Sequence, residues 1–209
     1  PPSTPPRPPP PPPAVCASGA ADDDDATWEG YTHNELQLEW AAREGGVTFA
    51  LTHSGADGAA WVGFGVSSDG TMTSGGVGSP AVLGVDGAVE LRVMKGKTVG
   101  SVVPAADGGY AGASFCDGSL EEADGTTVLR FTLPWADDGC EGELEAAAAA
   151  PTLAICKGAP TTYIVAHGRG AVLGSHAPVT ATATLTRSLA PNVTAVVVPP
   201  PAIDLSLYW

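Results

Sequence analysis

Several stretches of this chain alternate apolar and polar residues with a period of two, which is typical of half-buried β-strands. At the C-terminus, Ile203, Leu205, Leu207 and Trp209 fall on one side of such a pattern, and Asp204 falls on the other. Alternation and short apolar runs together predict strands over 35–42, 46–53, 59–66, 88–95, 126–133, 162–168 and 177–187. The segment 141–150, rich in Glu and Ala, is expected to be either a helix or a loop.

Turn signals rich in Gly and Asp separate these strands, as in "SGADG", "SSDG", "VDG" and "AADGG". Short strands at this spacing predict an all-β sandwich. We expect the sandwich over residues 26–190. A proline-rich arm and an acidic linker would precede it over 1–25, and a linker with a strand tail would follow over 191–209.

The proline-rich arm reads "PPSTPPRPPPPPPAVC". Proline fixes φ and lacks an amide donor, so this run predicts a polyproline II rod of ~3.1 Å per residue. The rod is either a plain spacer or a support against which another element lies.

Composition and charge limit the classes of partner that this chain can bind. The chain has 209 residues, of which 44% are hydrophobic, so it can bury a core, and its net charge is −14. So acidic a surface repels nucleic acid and anionic lipid. No apolar run approaches the ~18 residues of a membrane span. The four carboxylates Asp22–Asp25 are interpreted as a solvated linker. With neither a signal peptide nor an initiator Met, we expect a processed form or part of something longer.

Cysteine usage points to an oxidising compartment. Cys16, Cys116, Cys140 and Cys156 have no CxxC spacing, which makes a zinc site improbable and favours two disulfides in one of three connectivities. Asn192 begins the sequon "NVT", an N-glycosylation signal. We therefore expect a secreted glycoprotein.

No arrangement typical of an enzyme is present. Glu121 with Glu122, and Asp137 with Asp138, are adjacent in sequence and should point apart. Glycosidases need two carboxylates that face each other across ~5–10 Å. The sequence also carries no nucleophile elbow, phosphate loop or metal triad. We expect a protein that is not an enzyme.

The segment that begins at "LQLEWAAREGG" and continues through "WVGFGVSSDGTM" resembles the DOMON domain. The later segments "VELRVMKGKTVGSVVP", "TTVLRFTLPW" and "TTYIVAHGRGAVLGSH" follow in the order of that family. The likeness extends over about 28–189. It implies an immunoglobulin-like β-sandwich outside the cell. The proline run is similar to the hydroxyproline-rich, O-glycosylated segments of plant and algal cell-wall glycoproteins.

Some DOMON domains bind haem b through one Met and one His. The resemblance places Met72, in "SSDGTM", and His176, in "LGSH", at those positions, with Trp61 and Phe64 helping to form an apolar slot. His167 would be the variable position of the family's Ala-x-Gly. No cofactor is firmly implied, because the Gly-rich "SGGVGSP" offers few bulky side chains to enclose a macrocycle.

Other DOMON domains lack the haem ligands and bind sugars or act as interaction modules. Trp28, Trp40, Trp61 and Trp135 are candidates for an aromatic sugar-binding groove, or else belong to the core. The remaining Met and His residues have plainer interpretations. Met94 is expected in the core, and His33 and His53 are expected at the surface or at strand edges.

The C-terminal strand has two potential partners. It could fold back on its own sandwich, although "VVVPPP" disfavours a tight hairpin, or it could add to the sheet of another copy. We expect the second, and hence a structural subunit that self-assembles head to tail, in a filament-like manner, through its terminal segments. An extracellular haem b electron-transfer module and a carbohydrate-binding module are the alternatives.

Overall fold

The structure is a computed structural model of the chain. It describes residues 28–33, 35–43, 45–55, 59, 61–67, 71, 73, 78–96, 99–110, 113–135, 153, 155, 160–168 and 183–188.

Eleven strands lie within these ranges: β1 (Glu29–His33), β2 (Leu36–Ala42), β3 (Gly46–Ser54), β4 (Trp61–Val66), β5 (Ser79–Val85), β6 (Ala88–Met94), β7 (Val102–Pro104), β8 (Cys116–Ala123), β9 (Thr126–Pro134), β10 (Pro160–Gly168) and β11 (Ala183–Ser188). A short 3-10 helix, Val99–Ser101, precedes β7. The predicted all-β class is confirmed.

The strands form two sheets that pack face to face. The five-stranded sheet has the order β1-β2-β3-β9-β8, and the six-stranded sheet has the order β11-β10-β4-β5-β6-β7. Neighbouring strands pair antiparallel throughout both sheets. The described part of the chain is therefore an all-β sandwich, as the sequence predicts.

Four aromatic rings hold the two sheets together. Phe49 of β3 and Phe131 of β9 stack with ring centroids 5.5 Å apart in the five-stranded sheet. Phe64 of β4 lies 4.6 Å from Phe49, and Tyr163 of β10 lies 5.2 Å from Phe64, measured between ring centroids. All four side chains are fully buried. Their contacts cross from one sheet to the other and form the centre of the core.

Tight turns join several of the paired strands. Asp86 and Gly87 connect β5 to β6 with φ of 50° and 74°, and Asp124 and Gly125 connect β8 to β9 with φ of 51° and 78°. Two consecutive residues with positive φ match the type I′ turn, which follows the natural twist of a hairpin and favours Asp-Gly. The turn predicted at "VDG" is confirmed.

Alternation located most of the strands. The segments predicted over 35–42, 46–53, 59–66, 88–95, 126–133 and 162–168 correspond to β2, β3, β4, β6, β9 and β10, and the one over 177–187 overlaps β11. The prediction for 141–150 lies outside the described residues. Strands β1, β5, β7 and β8 were not predicted individually. β5 is buried at every position and β8 contains a β-bulge between Cys116 and Ser119, so neither alternates cleanly.

The aromatic centre generates a stability prediction. Replacing Phe49 with Ala removes a ring that contacts Phe64, Phe131 and Tyr163 and leaves a cavity between the sheets. We expect the free energy of unfolding to fall by about 3–5 kcal/mol in urea denaturation. The control Gln37→Ala, at an exposed position of β2, should change it by less than about 0.5 kcal/mol. Equal losses in the two variants would contradict the assigned register.

Candidate functional site

A cluster of three potential metal ligands closes one end of the core. The side chains of β3 that face the other sheet are Val47, Phe49 and Leu51, and the next residue in that period is His53. In the six-stranded sheet, Tyr163 and Val165 of β10 face inward, and His167 continues that series. The two histidines therefore approach each other from opposite sheets.

Glu35 completes the cluster from the segment just before β2. Its backbone carbonyl accepts a hydrogen bond from the Ser54 amide at 2.8 Å, which holds the main chain of Glu35 beside β3. The carboxylate oxygen Oε2 lies 3.3 Å from Nε2 of His53. The His53 and His167 rings lie with centroids 4.3 Å apart and planes inclined by 37°. One potential ligand atom from each of the three residues lies within 4.8 Å of the other two.

The cluster is deeply buried on one side and reaches solvent on the other. His53 is 0% exposed and His167 is 6% exposed. The Glu35 side chain is 39% exposed. An ion from solution would therefore meet the carboxylate first and the imidazoles behind it.

Small and polar residues surround His53. A Cβ atom on Gly55 would lie 2.7 Å from Cε1 of His53, so the absence of a side chain there gives the ring its space. Thr127 of β9 is in register with His53, and its hydroxyl donates to the carbonyl of Ala59 at 3.3 Å. Thr127 and Ala59 are both buried. Gly55 therefore lies directly against the His53 ring, and Thr127 is its neighbour on β9.

Nδ1 of His53 is a buried nitrogen of this cluster, and it has no hydrogen-bond partner in the described part of the chain. If Nε2 carries the proton and donates to Glu35, Nδ1 keeps a lone pair in a buried position. Leaving such a group unsatisfied costs about 1–3 kcal/mol. Two imidazoles and a carboxylate are suited to bind a transition-metal ion, which would use these lone pairs.

The expectation that His53 lies at the surface or at a strand edge is wrong. The residue is fully buried in β3, the middle strand of its sheet. Tertiary packing decides this, because His53 continues the inward series of β3 and the second sheet covers it. The spacing of two residues along β3, from Val47 to Phe49 and Leu51, could have indicated that His53 is buried. The contact with His167 could not be read, because it depends on how the two sheets align.

The residues expected in the core include three that are buried and two that are only partly buried. Met94, Trp40 and Trp61 are buried as expected of core residues, at 8%, 3% and 4% exposure. Trp28 and Trp135 are only partly buried, and the Trp135 indole donates to the Arg43 carbonyl at 2.8 Å.

Most residues of the predicted sites lie outside the described ranges. These are the haem ligands Met72 and His176, the cysteines Cys16, Cys140 and Cys156, the sequon residue Asn192, and the tail residues Ile203, Leu205, Leu207 and Trp209.

Strand β4 does not support a shared haem slot between Trp61 and Phe64. Phe64 points into the core between the sheets, where it meets Phe49 and Phe131. Trp61, three positions away, points to the opposite face, toward Gly63 and Gly168. Successive side chains of a strand alternate in direction, so the two residues cannot line one cavity.

Thr71, the residue before Met72, is held by hydrogen bonds from both sides. The carbonyl of Thr71 accepts hydrogen bonds from the Ser67 hydroxyl at 2.7 Å and from the Ser79 hydroxyl at 2.9 Å. The Tyr110 hydroxyl donates to the Gly78 carbonyl at 3.0 Å, and burial raises the pKa of this phenol. These bonds hold Thr71 and Gly78 in place beside the ends of β4 and β5.

The six-stranded sheet is apolar on its outer face as well as its inner one. A second cluster contains Ala81, Leu83, Met94 and Ile164, which are 1%, 3%, 8% and 5% exposed, with Val102 packed against it. All five come from strands of this one sheet. Gly63 and Gly65 lie beneath them, since a Cβ there would meet Leu83 and Ile164 at 2.5 and 2.9 Å. The five-stranded sheet differs, because its outer positions include Gln37, Glu39 and Arg130.

Cys116, the first residue of β8, is disulfide-bonded. The other three cysteines of the chain lie outside the described ranges.

The histidine cluster generates a prediction that separates ligand binding from structural support. In metal-free buffer, His53→Leu should leave the free energy of unfolding within about 1 kcal/mol of the unaltered chain or raise it. Leucine has a similar volume and removes a buried unpartnered nitrogen, while Glu35 can be hydrated. The control Leu51→Ala, on the same face of β3, should cost about 2–5 kcal/mol. A comparable loss in both variants would show that His53 is a structural residue.

Within the described residues, no helix has the length and apolarity needed to cross a membrane. Comparison of the chain with protein-family models, with curated proteins and with solved structures finds no match.

Proposed function

We propose that this chain is a structural subunit of an extracellular assembly, in which copies are joined by exchange of the C-terminal strand. The observation that carries the proposal is the six-stranded sheet with two apolar faces. The outer face of an antiparallel sheet is usually hydrated, so a sheet that is apolar on both sides calls for a further layer. The deep burial of Leu83 and Ile164 on the outer side fits such a layer.

The C-terminal segment has the chemistry of that layer. Ile203, Leu205, Leu207 and Trp209 would present one apolar face, and Asp204, Ser206 and Tyr208 the other. An apolar strand face left in water is an aggregation hazard, so covering the outer cluster would stabilise both partners. The outer cluster also has a charged rim, where the Arg92 guanidinium pairs with the Glu90 carboxylate at 2.8 Å from Nε.

Geometry allows the strand to reach either its own sheet or that of another copy. About 14 residues separate Ser188 from Ile203, which can span up to roughly 45 Å when extended. The six strands of the sheet extend over about 25 Å. The prolines of "VVVPPP" stiffen this connection and disfavour a sharp return, which favours exchange between copies. The contact between the C-terminal strand and the six-stranded sheet would be the same whether the strand comes from the same chain or from another copy.

The DOMON resemblance, the glycosylation sequon and the proline-rich arm support an extracellular location. The low charge content of the chain, 15%, suits packing against other copies more than recognition of a charged ligand. A head-to-tail exchange that does not close would extend into a filament.

The assembly is tested by light scattering coupled to size-exclusion chromatography on the full chain. We expect the mass to rise above one chain with concentration. Leu205→Asp, which places a charge on the apolar side of the tail, should weaken self-association at least about tenfold. Ser206→Asp adds the same charge on the polar side and is the matched control, which should assemble normally. A monomer at every concentration, or equal effects of the two substitutions, would overturn the exchange.

A second measurement asks whether the tail covers the outer cluster. Met94, 8% exposed, can be followed by mass spectrometry as it is oxidised by peroxide. Truncation after Ala190 should expose Met94 and raise its oxidation rate severalfold. If the rate does not change, another segment is the covering layer and the proposed contact is wrong.

A further inference from the structure

We infer that Glu35, His53 and His167 bind one divalent transition-metal ion of the zinc or copper class, which bridges the two sheets. Nothing in the proposed strand exchange requires this ion, and the inference stands on a different end of the molecule. It starts from three residues, far apart in sequence, whose potential ligand atoms lie within 4.8 Å of one another.

The separation of these atoms is close to that of a bound state. In a tetrahedral site with bonds of ~2.0–2.1 Å, two ligand atoms lie ~3.3 Å apart. The nitrogen and oxygen atoms of the cluster would therefore close by about 1.5 Å at most. Glu35 is partly exposed, and a rotation of its side chain can supply much of that movement. The buried rings of His53 and His167, already in contact, need only to turn.

The donor set selects the class of ion. Calcium and magnesium prefer six or more oxygen ligands, or octahedral oxygen geometry, which this cluster does not offer. Imidazole nitrogen suits zinc, copper and nickel, and two imidazoles with one carboxylate are a common zinc ligand set. The carboxylate offsets part of the ion's charge inside the core. The net charge of −14 would also concentrate cations around the chain.

An independent observation points to a ligand at this position. Nδ1 of His53 is buried and has no hydrogen-bond partner within the described residues. Buried polar atoms are almost always paired, and each exception calls for an explanation such as a missing ion. In the bound state the Glu35 carboxylate would leave Nε2 of His53, which it now meets at 3.3 Å, and become a ligand itself. The His53 ring would then present Nδ1 to the ion.

Such an ion would cross-link the two sheets. His53 belongs to the five-stranded sheet and His167 to the six-stranded sheet, so coordination links the two layers at the end of the core. An ion that binds only the folded chain stabilises it by mass action. The concentration of free metal ion would thereby set the free energy of unfolding of the sandwich.

The test uses the full chain without a histidine tag, stripped of metal by a chelator. Co²⁺ is titrated first, because its visible d–d absorption reports coordination by nitrogen, and Zn²⁺ is then added to displace it. We expect saturation at one ion per chain. With Zn²⁺ at about 100 times its dissociation constant, the midpoint of thermal unfolding should rise by roughly 5–10 °C.

Three substitutions identify the ligands. His53→Gln and His167→Gln should each weaken binding by about 100-fold or more, and Glu35→Gln by about 10- to 100-fold. Glu39→Gln is the matched control, because Glu39 lies on β2 next to the inward-facing Leu38 and Trp40 and therefore points outward. Its affinity should stay within about twofold of the unaltered chain. Binding that survives all three substitutions would place the ion elsewhere and overturn the inference.

A measurement on the unaltered chain covers the case in which the histidine variants do not fold. X-ray absorption at the zinc edge counts imidazole ligands, and two imidazoles are expected. No saturable binding, or coordination by oxygen alone, would show that the pair is a buried histidine contact without an ion.

Discussion

The sandwich depends on the contact between the two sheets through Phe49, Phe64, Phe131 and Tyr163. These rings fix how the sheets align, because each is fully buried and touches a partner across the interface. Once Phe49 points inward, the period of two sends Leu51 and His53 to the same face. Tyr163 does the same for Val165 and His167. The meeting of the two histidines is thus a consequence of aromatic packing several residues away.

The same alternation explains why the two sheets have different outer faces. In the five-stranded sheet the outward positions include Gln37, Glu39 and Arg130, and this face suits water. In the six-stranded sheet the outward positions Leu83, Met94 and Ile164 form a second apolar cluster over the glycines of β4. The two sheets therefore differ, because one has a polar outer face and the other carries a second apolar cluster on its outer face. The proposed strand exchange and the proposed metal site concern different parts of the molecule, the first an outer face and the second one end of the core.

How much of this the sequence could predict depends on whether a feature is local. Alternation located β3 and β9, and Asp-Gly located the turn between β5 and β6, because these signals involve neighbouring residues. β5 was missed because burial on both faces removes the alternation. The burial of His53 was within reach, since it follows Val47, Phe49 and Leu51 in the same period. Its contact with His167 depends on the alignment of two sheets, which no local pattern encodes. The slot attributed to Trp61 and Phe64 failed for the opposite reason, because residues three apart in a strand lie on different faces.

The alignment of the two sheets brings His53 and His167 into contact inside the core. The most direct measurement is a nuclear Overhauser spectrum of the full chain with labelled histidine. Rings whose centroids lie 4.3 Å apart should give a strong cross-peak between the two imidazoles, with amides of β3 and β10 protected from exchange. The absence of that cross-peak, with both imidazoles accessible to solvent, would contradict the alignment of the sheets and the metal site with it.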